Sequence, residues 1–253
     1  MTARFPSATA LVTGAGSGIG AAIAQSLAAE GARVLVTDAN AQAAQATAHA
    51  IGPAAIPLRL DVTSESDWQA ATALAQSEFG HLSILVPNAG IPIGGSIEQL
   101  SFAQWRQSFA VHADGAFLAI QSCLPLLRAA PAAAITTIAS AAAAAPQADM
   151  AAYAASKAAV VALTRSVALH CAEKGWPIRA NCVLPAYIDT PMLDAIAPAI
   201  PRDKLLGALA RLVPQGRIGT IADVVEAVLY LASPAARFIT GTQLRVDGGL
   251  TTI

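Results

Sequence analysis

Short apolar runs alternate along the chain with longer segments in which apolar residues recur at helical spacing. Strands buried on both faces of a sheet give continuous apolar runs, and helical crossovers join parallel neighbours. The predicted strands cover residues 9–12, 33–37, 55–60, 84–86, 134–138, 179–184 and 243–246. The predicted helices cover residues 19–30, 41–50, 65–79, 102–128, 151–173 and 222–231. This alternation predicts an α/β fold built on one doubly wound, seven-stranded parallel sheet with helices on both faces.

One domain is predicted for residues 1–253, because no linker, internal repeat or charge block divides the chain. Only residues 185–219 lack a clear period, and this region contains five prolines. A long irregular segment in a compact domain usually has a functional role. We therefore predict a partly helical lid beside the substrate, with an ordered structural loop as the alternative.

The hydrophobic content, 55% of residues with a mean hydropathy of +0.54, raises the question of a membrane protein. The longest uncharged stretch considered, residues 129–148, is dominated by alanine and interrupted by Pro131 and Pro146, which argues against a membrane span. Residues 1–9 contain no long apolar leader. We therefore expect a cytoplasmic protein with no membrane partner.

The charge balance is close to even, with a formal net charge of −1 and a pI near 6.4. Such a chain has no strong field to attract nucleic acid or anionic lipid, so we expect no nucleic-acid partner. The histidines lie singly along the sequence and predict no metal site. Cys123, Cys171 and Cys182 are an odd number in apolar sequence, which suits reduced, buried thiols.

A glycine-rich segment, residues 13–20, lies between the first predicted strand and the first predicted helix. Its glycines can adopt positive φ and let a pyrophosphate approach the backbone, while the helix N-terminus attracts the phosphates. A glycine pattern alone is a weak signal, and a plain turn is the alternative, but here a strand, a helix and a later acidic residue accompany it. The predicted phosphate-binding residues are Gly14, Ser17, Gly18, Ile19 and Gly20.

The acidic residue is Asp38, at the end of the second predicted strand. A carboxylate there accepts hydrogen bonds from the adenine ribose hydroxyls and repels a 2′-phosphate. Neither Ser17 nor Ala39 offers the positive charge that a 2′-phosphate requires. We therefore predict NAD rather than NADP as the cofactor, the alternative being that Asp38 is a solvated loop acid.

Tyr153 and Lys157 are four residues apart on a predicted helix and therefore share one face. A tyrosine with its ordinary pKa of about 10 is a poor base near neutrality, and a nearby ammonium favours its ionisation. Ser140 follows the strand 134–138, at the carboxyl edge where open parallel sheets bind ligands. Such a Tyr–Lys pair alone is usually a surface pair, but with Ser140 and the phosphate turn it predicts a hydride-transfer enzyme.

With these motifs the chain resembles the single-domain short-chain dehydrogenase/reductases, from about residue 8 to about residue 250. The resemblance implies a Rossmann fold, with Tyr153 as general acid/base and Ser140 holding the substrate oxygen. It also implies that Lys157 modifies the tyrosine pKa and binds the nicotinamide ribose, as Tyr153 and Lys157 both contact the cofactor. Further cofactor contacts that the resemblance implies are Asp61, Val62, Asn88, Ala89, Gly90, Pro185, Ile188 and Thr190.

Three positions depart from the pattern of that family. Pro87 stands where a second Asn is usual, and Ala186 where Gly is usual. His112 stands where the family carries the Asn that completes a catalytic tetrad and organises a water leading from the lysine. Because the unperturbed pKa of histidine is near 6.5, its charge would change in the working range. We hypothesise that His112 substitutes in the proton relay, the alternative being a packed histidine with no such role.

The candidate substrate pocket is small or apolar almost throughout. Its predicted wall consists of residues 141–145 with Ile91, Ile93, Tyr187, Met192, Leu193 and Ile196. Such a lining cannot satisfy the hydroxyls of a sugar, whereas it suits a small hydrophobic secondary alcohol or ketone. Residues 168–193 also somewhat resemble bacterial hydroxysteroid dehydrogenases.

Two other functions are weighed. A 3-oxoacyl-carrier-protein reductase would need a basic surface and usually NADPH, against which Asp38 and the sparse charge argue. A catalytically inactive nucleotide-binding sensor or scaffold is conceivable because of His112, but the presence of Ser140, Tyr153 and Lys157 argues against it.

Since members of the resembled family mostly pair through their long helices, here 102–128 and 151–173, a homotetramer is expected.

Overall fold

The computed structural model of the chain describes residues 3–196 and 200–252, without the side chains of 194–196. Its strands are β1 (Thr9–Thr13), β2 (Arg33–Asp38), β3 (Ala55–Arg59), β4 (Ile84–Val86), β5 (Ala133–Ile138), β6 (Ile178–Pro185) and β7 (Gln243–Val246). These seven strands of the described chain are all parallel and lie in the order β3-β2-β1-β4-β5-β6-β7. The predicted doubly wound parallel sheet is confirmed.

Helices cover both faces of the sheet. They are α1 (Gly18–Ala29), α2 (Ala41–Ile51), α3 (Glu65–Phe79), α4 (Phe102–Phe109), α5 (Gly115–Ala129), α6 (Ala151–Glu173), α7 (Pro191–Ile196), α8 (Arg202–Ala210) and α9 (Ile221–Ala232). Helices α1, α2 and α9 pack on one face, where Val12 is buried. Helices α3, α5 and α6 pack on the other, where Leu11 and Trp68 are buried. Successive strand residues thus supply two separate cores, as the pleat requires.

The helix predicted for residues 102–128 is confirmed as one continuous helical stretch, 102–129, but it contains a π-helical segment that the sequence did not predict. Helices α4 and α5 are separated by a π-helical segment, Ala110–Asp114, in which the Gly115 N–H donates to the carbonyl of Ala110. A π turn carries one residue more than an α turn and is found most often at functional sites. His112 lies within this segment.

The region 185–219 is partly helical, as predicted, because it contains α7 and α8. Arg202, the first residue of α8, forms an ion pair with Asp189 in the segment that follows β6. The Ile188 backbone also forms an isolated parallel bridge with Gly219. These contacts hold α7 and α8 against the carboxyl edge of the sheet.

Among the described residues, one helical stretch, 102–129, is long and apolar enough by length and composition to cross a membrane. Its apolar residues have another explanation, because Ile120, Cys123 and Leu127 of α5 are buried against the sheet. A buried core helix meets the same criteria of length and apolar composition, so this stretch is only weak support for a membrane-spanning helix.

The order of the strands determines where a ligand can bind. Strands β1 and β4 are neighbours, but the chain leaves them towards opposite sides of the sheet, to β2 and to β5. A crevice opens at such a switch point, outside the carboxyl ends of the strands. Gly14 follows β1 and Asn88 lies just beyond β4, so both residues border this crevice.

Candidate active site

A cleft of about 630 Å³ opens at the carboxyl edge of the sheet, over the switch point. It is bordered by the turn between β1 and α1, the end of β2, the segments after β4, β5 and β6, and helices α6, α7 and α8. The residues predicted from sequence that line it are Gly14, Ser17, Gly18, Ile19, Gly20, Asp38, Asn88, Ala89, Gly90, Ser140, Tyr153, Lys157, Pro185, Ile188 and Thr190. The structure therefore brings most of the candidate site into one space.

The glycine turn has the shape that a phosphate group requires. A Cβ atom on Gly20 would lie 2.2 Å from the carbonyl oxygen of Gly14 and 2.5 Å from Nδ2 of Asn88, so no side chain fits there. Gly18 has a φ of +54°, and a Cβ at this position would meet no atom within 4 Å. Helix α1 begins at Gly18, so its free N–H groups face this open space.

The segment after β4 is fastened to the glycine turn by Asn88. Its backbone N–H and that of Ala89 donate to Oγ1 of Thr13, at 2.9 and 3.0 Å. Its side-chain amide donates to the carbonyls of Thr13 and Gly14, at 2.9 and 3.2 Å. These bonds fix the two sides of the crevice relative to each other.

Asp38 faces the cleft from the end of β2. Its carboxylate accepts hydrogen bonds from the backbone N–H groups of Gly16, at 3.0 Å, and Asn40, at 2.9 Å. Both donors are uncharged backbone groups, so neither brings a positive charge to the carboxylate. Neither Ala39 nor Asn40 beside it is basic.

Tyr153 and Lys157 lie in the first two turns of α6, opposite Ser140 at the end of β5. The amine of Lys157 lies 5.8 Å from the centre of the tyrosine ring. Burial raises the pKa of Tyr153, while a hydrogen bond from Ser140 acts in the opposite direction. In the protein alone the net change in this pKa is therefore upward, because desolvation outweighs the hydrogen bond from Ser140, and the effect of Lys157 on the phenol stays a prediction.

Lys157 is itself almost completely buried. Burial lowers its pKa from the ordinary 10.5 to about 8. Low polarity around the pair thus favours the neutral forms of both the phenol and the amine. A ligand that brings polar groups into the cleft would relieve this desolvation.

His112 is also buried, between the segment after β4 and α6. Its Nε2 accepts a hydrogen bond of 3.0 Å from the backbone N–H of Ile91, and its Nδ1 lies 2.8 Å from Oγ of Ser156. Burial and the charge of Lys157 lower the pKa of His112 to about 2. The expectation that its charge changes in the working range is therefore wrong, since a buried ring beside an amine stays neutral.

A family model described as enoyl-(acyl carrier protein) reductase matches residues 14–251. The chain belongs to the short-chain dehydrogenase/reductase family. It is therefore an oxidoreductase with the fold that binds a nicotinamide cofactor. The glycine turn and the cleft described above fit a nicotinamide cofactor.

Several similar proteins match over nearly their whole length. The cis-4-hydroxycyclohexanecarboxylate dehydrogenase of Sinomonas cyclohexanicum is 39% identical over 257 residues, 100% of this chain and 100% of that protein. The 3-beta-hydroxysteroid dehydrogenase of Comamonas testosteroni is 34% identical, over 99% and 98%. The crystal structure of 3-ketoacyl-(acyl-carrier-protein) reductase from Brucella melitensis complexed with NADH superimposes with a TM-score of 0.90, at 32% identity, covering 97% and 99%.

Asp61 and Val62 are outside the cleft lining of this short-chain dehydrogenase/reductase. Oδ1 of Asp61 accepts hydrogen bonds from the backbone and hydroxyl of Thr63, at 3.0 and 2.8 Å. Val62 is buried and borders a separate cavity of about 10 Å³, shared with His112 and Lys157, which is near the lower limit for one water. These two predicted cofactor contacts thus lie near the site but not in its wall.

Some of the residues predicted for the substrate wall line the cleft and others do not. Of the predicted residues, the cleft lining includes Ala141, Ala142, Ala145, Tyr187, Met192 and Leu193. It does not include Ile91, Ile93, Ala143 or Ala144. The side chain of Ile196 lies outside the described residues.

The cleft is also lined by residues that were not predicted from the sequence, among them Gln147, Asp149, Met150, Leu205, Leu209, Leu212 and Leu250. The spacing of Leu205, Leu209 and Leu212 would have indicated a common helix face. Leu250 has no such signal, because it reaches the cleft through a turn in which the Asp247 carboxylate accepts from the backbone of Gly249 and Thr251.

The wall contains a polar contact near its rim. The side-chain amide of Gln147 donates to the hydroxyl of Tyr187, which joins the segment after β5 to the segment after β6. Lys157 is the only cation among the described residues that line the cleft. Within the described part of the chain, no cluster of His, Cys, Asp or Glu could hold a metal ion.

Proposed function

We propose that this protein transfers a hydride between NAD(H) and an uncharged, hydrophobic secondary alcohol, alicyclic in type, or the corresponding ketone. The proposal rests on the observation that a single, continuous cleft holds both the candidate cofactor residues and the candidate substrate wall. It runs from the glycine turn past Tyr153 and Ser140 to a wall of alanine, methionine and leucine side chains. A nucleotide and an apolar substrate could therefore meet at the phenol.

Each polar group at the centre of the cleft has a role in this proposal. A bound nicotinamide supplies or accepts the hydride. Tyr153 removes the hydroxyl proton when an alcohol is oxidised and returns it when a ketone is reduced. Ser140 holds the substrate oxygen beside the phenol. Lys157 binds the cofactor ribose and supplies positive charge next to Tyr153 when it is protonated.

The preference for NAD is supported by Asp38. Its carboxylate is held in the cleft by two uncharged backbone donors, and no basic residue adjoins it in sequence. A 2′-phosphate placed there would meet the negative charge of Asp38, and neither Ala39 nor Asn40 supplies a cation to balance it. The NADH named for the Brucella melitensis reductase agrees with this preference.

The substrate class follows from the wall and its charge. Leu205, Leu209 and Met192 come from the region proposed as a lid, and they offer no partner for a sugar hydroxyl. Lys157 is the only cation among the described lining residues, and the cofactor ribose would occupy it. An anionic substrate would therefore find no second cation among these residues to bind its charge. The alicyclic substrate named for the Sinomonas relative therefore suggests the carbon skeleton, while the carboxylate is not expected here.

Reduction of a 3-oxoacyl group on a carrier protein is the second candidate, because the structural neighbour has that activity in its name. Sparse basic residues and Asp38 argue against it. A catalytically inactive nucleotide-binding scaffold is the remaining alternative, against which Tyr153, Lys157 and Ser140 in one cleft argue.

The test is a spectrophotometric assay of the purified protein with NAD⁺ or NADP⁺. Cyclohexanol, 4-hydroxycyclohexanecarboxylate and, with NADH or NADPH, a 3-oxoacyl thioester serve as substrates. We expect turnover of cyclohexanol with NAD⁺ that is lost in Tyr153→Phe. Faster turnover of the thioester with NADPH would favour the carrier-protein reductase, and NADH binding without turnover of any substrate would favour the scaffold.

We also propose that the protein is a cytoplasmic homotetramer. Phe117 on α5 and Leu169 on α6 support the association, since these residues are 46% and 66% exposed on the helices predicted to pair. Large apolar side chains on adjacent helices often mark an interface between subunits.

A further inference from the structure

His112 connects two parts of the active site that are distant in sequence. Its ring lies in the π-helical segment, is 2% exposed and reaches both the segment after β4 and α6. On one side, Nε2 accepts from the backbone N–H of Ile91 at 3.0 Å. On the other, Nδ1 lies 2.8 Å from the hydroxyl oxygen of Ser156.

The direction of these bonds defines the tautomer of the ring. Because Nε2 accepts from Ile91, the proton of a neutral imidazole must be on Nδ1, which therefore donates to Ser156. The Ser156 hydroxyl in turn donates to the backbone carbonyl of Tyr153 at 2.9 Å. The hydroxyl of Ser108 lies 3.1 Å from that of Ser156 and completes the buried group. This chain of bonds ends at a backbone carbonyl and offers no path for a proton to the tyrosine hydroxyl.

The ring of His112 also packs directly against the Tyr153 side chain. The two ring centres are 5.3 Å apart and the planes are nearly perpendicular, at 88°. On the far side, a Cβ atom on Gly90 would lie 3.2 Å from Nε2 of His112 and 3.4 Å from Nζ of Lys157. The imidazole therefore fills the space between the backbone at Gly90 and the ring of Tyr153.

We propose that His112 is a positioning residue, which ties Ile91 to Ser156 with a neutral ring, holds the Tyr153 ring in the cleft and transfers no proton during the reaction. The role is specific to a ring with an acceptor and a donor on opposite sides. It replaces the relay hypothesis, and its kinetic test rests on the proposed function.

The surrounding charges are consistent with a ring that stays neutral. The ionisable groups that face it are Lys157 and Tyr153 on α6, while Asp114 lies in its own segment and residues 88–91 carry no charge. Protonation of Nε2 would break the bond from Ile91 and place a second cation beside Lys157. Both effects disfavour the imidazolium.

Three substitutions separate the contacts of His112. The amide of Asn reaches about as far as Nδ1, so His112→Asn keeps the bond to Ser156 and loses the bond from Ile91. The amide of Gln reaches about as far as Nε2, so His112→Gln does the reverse. His112→Phe keeps a flat ring against Tyr153 and loses both bonds. The kinetic measurement is kcat and KM for cyclohexanol as a function of pH, with thermal unfolding and NADH binding as checks of folding.

We expect kcat to fall on the order of tenfold for each bond that is lost, which corresponds to about 1.4 kcal/mol of activation free energy. KM should change less than kcat, and the pH at which activity changes should be the same in all variants. If His112→Asn and His112→Gln are each less active than wild type but more active than His112→Phe, the two bonds contribute separately.

Three results would overturn the proposal. They are a shifted pH profile, restoration of His112→Phe by added imidazole, and full activity of a folded His112→Phe. If that variant does not fold, nuclear magnetic resonance of ¹⁵N-histidine in the wild-type protein decides, because a ring that titrates between pH 6 and 9, or that carries its proton on Nε2, contradicts the proposal. Absence of wild-type turnover would count against the proposed function, while the resonance experiment would still test the tautomer.

Discussion

The amine of Lys157 donates a hydrogen bond of 2.9 Å to the backbone carbonyl of Ile138, the last residue of β5. This bond holds the amine between the end of the sheet and the ring of Tyr153. The site is so poorly solvated that burial lowers the pKa of Lys157 to about 8. The position of this amine therefore lowers the stability of the folded protein, and the proposed role of Lys157 in the reaction would explain why it is kept there.

Lys157→Met should stabilise the protein near pH 7. A pKa of about 8 in the folded state against 10.5 when unfolded corresponds to about 3 kcal/mol against the folded state below pH 8. Loss of the bond to Ile138 offsets about 1 kcal/mol of the gain. Between pH 8 and 10.5 the unfolded chain binds more protons, so wild-type stability rises with pH there and the advantage of the variant shrinks.

Thermal unfolding at pH 7 and pH 10 measures this effect, with the exposed Lys174→Met as the control. We expect a melting temperature several degrees higher for Lys157→Met at pH 7, together with loss of turnover. A wild-type protein that is the more stable of the two at pH 7 would contradict the argument.

Asp38→Asn should weaken the discrimination against NADP⁺. The amide keeps the size of the carboxylate and removes the negative charge that faces the cleft. We expect the ratio of kcat/KM for NADP⁺ over NAD⁺ to rise by roughly tenfold or more, which is about 1.4 kcal/mol. Glu173→Gln removes the same charge from an exposed position and should leave the ratio unchanged. An unaltered ratio in Asp38→Asn would argue against this role.

Leu209→Asp should impair binding of apolar alcohols. Leu209 lines the cleft from α8, whereas Ala208 on the same helix is exposed and is not part of the lining. Removing a leucine side chain from an apolar contact costs roughly 1.5 to 3 kcal/mol, so KM for cyclohexanol should rise by at least tenfold. Ala208→Asp should behave as wild type, and equal effects of the two changes would exclude a specific contact.

Leu169→Glu should dissociate the proposed tetramer. This residue is 66% exposed on α6, and a carboxylate repeated at a symmetric interface is unfavourable. Light scattering at micromolar concentration should give a lower mass for this variant than for wild type. Gln45→Glu adds the same charge on α2 and should not change the mass. A wild-type monomer would contradict the prediction at once.

The fold could be predicted because most of its signals are local. Continuous apolar runs such as residues 84–86 mark strands buried on both faces, and Asp38 and Ser140 follow strands that all end at one edge. Once parallel order is assumed, the phosphate turn and the Tyr153 region must lie at the same edge of the sheet. The local motifs therefore predicted one part of the cleft border, and the family resemblance supplied another part, which includes Asn88 and Thr190.

Other features depend on contacts that no local pattern contains. Residues 110–114 have the composition of an ordinary helix, and the π-helical turn there accompanies contacts of His112 with Ile91 and Ser156. The pKa changes of Tyr153 and His112 follow from burial, which depends on the packing of several elements. Spacing showed which groups would meet but not how little water would surround them.

The cleft is bordered both by Gly14, from the turn after the first strand, and by Leu250, from the last described turn. A nascent or truncated chain that lacks its final strand therefore cannot form the complete pocket. Occupation of the pocket should protect the whole molecule against unfolding, because a ligand that binds only the assembled state shifts the equilibrium towards it. Cofactor binding would thus report that the elements from Gly14 to Leu250 have assembled.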